Sequence, residues 1–148
     1  MPYVAPEVLK GQQFTQAADI YSLGVIMSEI STGKKAFDGV PFNTTLFLKI
    51  CNKNERPELG EGTPECYVQL AKRCMDSDPN ERPTTTIISS RIVYWLDEIE
   101  QKNDNEIKKQ FLEADNIVPK VETSIHPSYM YTRKLINTKR IDETLINS

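Results

Sequence analysis

The chain opens Met1-Pro2-Tyr3-Val4-Ala5-Pro6-Glu7. Pro6 has a backbone angle suited to the first turn of a helix, and Glu7 then places a carboxylate near the positive end of the helix dipole. A short helix through Val8 and Leu9 is therefore expected. The triplet Ala5-Pro6-Glu7 is ordinary by itself. It gains meaning from two further stretches that follow in order, Asp19-Ile20-Tyr21-Ser22-Leu23-Gly24-Val25 and Asp78-Pro79-Asn80-Glu81-Arg82-Pro83.

The first of these lies inside a run from residue 16 to 32 in which Ala17, Ala18, Ile20, Tyr21, Leu23, Val25, Ile26, Met27 and Ile30 cover nearly the whole helical circumference. Such a helix is expected to be buried, with Thr15 as N-cap and Gly33 as its stop. Polar interruptions at Asp19, Ser22, Ser28 and Glu29 make a core helix the better reading than a membrane span.

Working outward, Lys34 to Pro41 reads as a loop, and Asn43 can cap a helix carrying Leu46, Phe47, Leu48, Ile50 and Cys51. After a second loop, Thr63 and Pro64 start an amphipathic helix with Pro64 at its first position and Tyr67, Leu70, Ala71 and Cys74 on one face. From Thr84, the residues Ile88, Ile92, Trp95, Leu96 and Ile99 form another helical stripe. Asn103 and Glu106 have capping-box spacing ahead of Ile107, Phe111 and Leu112, with Pro119 as the stop. From Lys120 to Ser148 polar and basic positions dilute the apolar pattern, and Val121 to Ser148 is expected to be unstructured. The expected architecture is all-α, with about five helices around one buried central helix. Residues 1–100 form the main body, and residues 101–148 a C-terminal helix and tail.

The chain has 148 residues, a formal net charge of −3, three cysteines and one histidine. That length suffices for one modest core, and the charge supplies no electrostatic attraction for nucleic acid or an anionic membrane. Cys51, Cys66 and Cys74 lack metal-ligand spacing and read as reduced core thiols, while His126 stands far from them in sequence. With no membrane span or targeting segment legible, a cytoplasmic or nuclear location and protein partners are expected.

Taken together, the ordered motifs resemble the C-terminal part of the large lobe of a protein kinase, from the A-P-E motif onward. The structural residues carrying this resemblance are Ala5, Pro6, Glu7, Asp19, Gly24 and Arg82. The match is closest to serine/threonine or tyrosine-kinase-like enzymes. Arg56-Pro57-Glu58, Cys66-Tyr67 and a tail containing His126-Pro127 to Tyr131-Thr132 also resemble an expanded fungal group. Tyr21 and Met75 stand where many kinases have tryptophan.

The resemblance implies a role for each of these residues. Glu7 and Arg82 would form the ion pair that clamps the end of the activation segment to the helical core, against the alternative of two unrelated surface charges. Asp19 would support the catalytic loop, against a simple interaction with the helix dipole; as a carboxylate on an apolar helix it would need a partner if buried. Gly24 would permit a close backbone approach. Met1, Pro2 and Tyr3 would border the substrate, and the helix around Leu46 to Cys51 would dock protein substrates or regulators or else simply pack in the core.

Phosphoryl transfer also needs a glycine-rich loop, a strand lysine, a catalytic-loop aspartate and the D-F-G aspartate. None of these is legible here, and Gly60-Glu61-Gly62 reads as a loop pair and not a phosphate cradle. No catalytic, cofactor-binding or metal residue is therefore assigned within this chain. The resemblance implies a fragment of an ATP- and Mg-dependent kinase of protein serine or threonine, working in signal transduction and inactive in isolation. A noncatalytic pseudokinase-like binding module and an unrelated helical adaptor are the alternatives.

Overall fold

The computed structural model describes residues 2–117, so the expectations for Met1, Pro119 and the run from Val121 to Ser148 lie outside the described residues. Six helices follow one another: α1 (Pro6–Leu9), α2 (Gln16–Thr32), α3 (Thr44–Asn52), α4 (Glu65–Cys74), α5 (Thr85–Glu100) and α6 (Glu106–Asp115). No strand occurs among the described residues. The all-α expectation holds, with five helices around the central α2.

The helix ends show how local chemistry sets these bounds. Gly33 closes α2 in a left-handed conformation at φ 66°, and its N–H donates to the Glu29 carbonyl at 2.8 Å. Asn43 caps α3 by accepting from the Leu46 N–H at 3.1 Å. Pro64 sits one position earlier than expected, as the residue preceding α4. Asn105, not Asn103, caps α6, accepting from the Lys108 N–H at 2.8 Å. Glu106 then falls at the first helical position, so the capping box does not form.

Helix α2 packs along α4, α5 against α6, and α1 against α3. One apolar cluster joins Ile20 and Met27 of α2 to Leu70 and Cys74 of α4 and to Ile88 and Trp95 of α5. A second gathers Ala5, Tyr21, Val25 and Met75, and a third Leu9, Leu46, Phe47 and Ile50.

Two burial expectations require correction. Helix α2 is not covered all round: Ile26 and Ile30 are exposed, on the side where Asp19 also emerges. In α5 only Ile88 and Trp95 are buried, while Ile92 and Leu96 face outward, because α2, α4 and α6 meet a narrower strip than the periodicity offers.

Candidate functional site

Pro6 starts α1 and so brings Glu7 onto the inner side of a single turn, where its carboxylate is buried. Arg82 reaches it from the loop ahead of α5. Nη1 donates to Glu7 Oε1 at 2.6 Å and Nη2 to Oε2 at 2.8 Å, a bidentate pair with both partners withdrawn from water. Arg82 Nε also donates to the Asp76 carbonyl at 2.8 Å, and Nη1 to the Ala17 carbonyl at 2.9 Å. One guanidinium thus ties α1, the start of α2 and the loop after α4 together. Burial pushes the Glu7 carboxyl up, but the Arg82 hydrogen bonds and the Arg82 and Arg56 charges outweigh it, holding the carboxyl below the ordinary value of 4.5.

Tyr21 of α2 lies beneath this clamp. Arg82 and Arg56 both stand over its ring, at 5.2 and 5.3 Å from the centroid. Arg56 is itself fixed by donation from Nε to the Met75 carbonyl at 2.7 Å and from Nη1 to the Ile50 carbonyl at 3.0 Å. The Tyr21 hydroxyl is buried without a hydrogen-bond partner among the described residues, and burial raises its pKa against the opposing pull of the two arginines.

The opening segment is tied down beside the clamp. The Tyr3 hydroxyl donates to Glu29 Oε1 at 2.7 Å, the Ser22 hydroxyl donates to the Tyr3 carbonyl at 2.6 Å, and the Ala36 N–H donates to Glu29 Oε1 at 2.8 Å. Pro2 is fully buried.

Gly24 sits where α2 meets α4 most closely: a Cβ there would lie 2.6 Å from Met75 Cγ, 2.9 Å from Cys74 Cβ and 3.0 Å from the Ala71 carbonyl oxygen. Asp19, in contrast, is exposed, and its carboxylate makes no ion pair or hydrogen bond with a described residue, so it carries no burial cost. Leu46, Phe47, Ile50 and Cys51 of α3 are buried against Leu9, which makes these positions core-packing. Gly60 lies against the Ser31 carbonyl, where a Cβ would clash with the backbone. Among the described residues no group of three or more His, Cys, Asp or Glu is placed to hold a metal ion. No helix among the described residues is long and apolar enough to cross a membrane.

Sequence reasoning missed the bridging role of Glu29 and the second cation over Tyr21. Glu29 was visible only as a polar interruption of α2, and Arg56 only as part of a short motif.

The protein tyrosine and serine/threonine kinase family model matches residues 1–92. The chain is 34% identical over 90 residues to the dual specificity protein kinase shkE of Dictyostelium discoideum, an alignment covering 61% of this chain and 13% of that protein. It is 33% identical over 107 residues to a protein of the same organism named "Probable serine/threonine-protein kinase drkB", covering 70% of this chain and 15% of that one. The dual specificity protein kinase shkD matches at 34% over 97 residues, 66% of this chain and 12% of its own length. The chain thus spans a small part of these relatives. With the ordered motifs, the buried Glu7–Arg82 pair and the family match in agreement, the chain belongs to the protein tyrosine and serine/threonine kinase family.

Proposed function

We propose that this chain is the C-terminal supporting part of the large lobe of an ATP-dependent kinase that phosphorylates protein serine or threonine. The observation that carries the reading is the uncovered side of α2. Asp19, Ile26 and Ile30 emerge together there from a helix otherwise held in the core. A carboxylate heading an apolar strip offers hydrogen-bond acceptors and a contact surface to a further segment, as the support of a catalytic loop requires.

In this reading the nucleotide and Mg²⁺ are held by residues elsewhere in a longer protein. The Arg82–Glu7 clamp and the Tyr3–Glu29 bond keep the segment before α1 in place beside the protein substrate. The tyrosine-kinase-like affinity, the signalling role, protein substrates or regulators as partners, and a cytoplasmic or nuclear location belong to the same proposal. The names of shkE, shkD and drkB support the reaction class.

Titration calorimetry of this chain with Mg-ATP tests the division of labour. The expected result is no saturable heat and no phosphate transfer to a protein substrate. Saturable micromolar binding, equivalent to about 8 kcal/mol of organised contacts, would overturn it.

A further inference from the structure

Helix α6 lies beyond the family match, which ends at residue 92, yet it is seated on the α4–α5 face. Its seat has an unusual composition. The N–H of Cys66, in the first turn of α4, donates to Gln110 Oε1 at 3.1 Å, so a side chain of α6 caps another helix. Asn105 Nδ2 donates to the Glu98 carbonyl at 2.7 Å, and Lys108 Nζ to the Gln101 carbonyl at 2.6 Å. Each of these backbone groups belongs to a helix end, where no intrahelical partner exists and where water serves equally well.

The apolar part of the seat is small. Phe111 stacks on Trp95 with ring centroids 6.0 Å apart, Trp95 lies 6.4 Å from Tyr67, and Ile107 completes the contact. No residue of α6 is itself fully buried. Trp95 Nε1 is shut away without an acceptor among the described residues, a cost that hydration would relieve.

From this combination we infer that α6 is a latch. It lifts from the α4–α5 face as a unit while α1 to α5 remain folded, because opening exchanges helix-end bonds for water, frees the Trp95 N–H and bares few apolar groups. Closed, it covers the Tyr67–Trp95 edge and shields Cys66. Open, it presents that edge, the uncapped start of α4 and the Cys66 thiol to solvent. The inference does not depend on the kinase reaction, since it rests on contacts within the chain.

Trp95 is the only tryptophan, so its fluorescence reports the latch directly. Hydrogen exchange of the full 148-residue chain should show α6 amides exchanging through an opening with weaker urea dependence than the opening that exposes α2 and α4. In Phe111→Ala, acrylamide quenching of Trp95 should rise severalfold while the cooperative helical melt persists. Gln110→Ala should move quenching in the same direction to a smaller extent. The latch is overturned if α6 and α2 amides exchange in one step, if Trp95 stays shielded in Phe111→Ala, or if that variant or the wild-type chain lacks a cooperative fold.

Discussion

Arg82 and Glu7 stand 75 positions apart and meet through two parallel hydrogen bonds of 2.6 and 2.8 Å inside the protein. Because the pair is buried, deleting one partner strands the other charge. Arg82→Ala should cost about 3–5 kcal/mol. Lys72→Ala, at an exposed position, should stay within about 0.5 kcal/mol. The double change Glu7→Leu with Arg82→Met should cost less than the sum of the two single changes, since no charge is then stranded. Urea melts of the five variants, the single changes Glu7→Leu and Arg82→Met included, and of the wild type check this.

The same pair sets a pH dependence. The folded carboxyl of Glu7 titrates below 4.5, so its contribution to stability is complete above that value and is lost as pH falls through the depressed folded pKa. Wild type should therefore exceed Glu7→Gln in stability at about pH 6, and the gap should narrow toward about pH 3. Parallel denaturant titrations across that window are the check, and a gap constant with pH would show that the carboxylate charge contributes nothing.

Gly24 faces α4 with no room for a methyl group. Alanine would gain about 1 kcal/mol of helix propensity at an open site, but here it must push Met75 and Cys74 aside at a cost of about 1–3 kcal/mol. Gly24→Ala should therefore be neutral to destabilising. A rise in melting temperature would show that α2 and α4 separate easily.

How far these features were legible differs residue by residue. Glu7 and Arg82 could be paired because each lies in an ordered motif, although 75 residues separate them. The inward turn of Pro2 could not be read, since proline suits a surface turn equally well. Nor could the choice of Asn105 over Asn103 as the α6 cap, because the Asn105 amide also bonds the Glu98 carbonyl and that tertiary contact sets the register. Periodicity showed that α5 has an apolar stripe, but which half of it is covered depends on neighbours placed by the fold. Asp19 was identified by motif, and its exposure follows from what does not lie over it among the described residues.

Tyr21 gives a prediction opposite to the usual effect of removing a polar group from a core. Among the described residues its hydroxyl is buried without a partner, while its ring carries the contacts to Arg56 and Arg82. Tyr21→Phe should thus raise stability by about 1 kcal/mol, whereas Tyr21→Leu, which removes the ring, should lower it. Thermal melts of the two variants separate the hydroxyl from the ring.

The central claim is that this chain works as one part of a larger catalytic polypeptide. Its most direct test is the mass of the native polypeptide, recovered from its own cells with an antibody against Glu106–Asp115 and assayed for Mg-ATP retention. The account predicts a species well above the 16.9 kDa of this chain that retains Mg-ATP. A sole species of 16.9 kDa would contradict it.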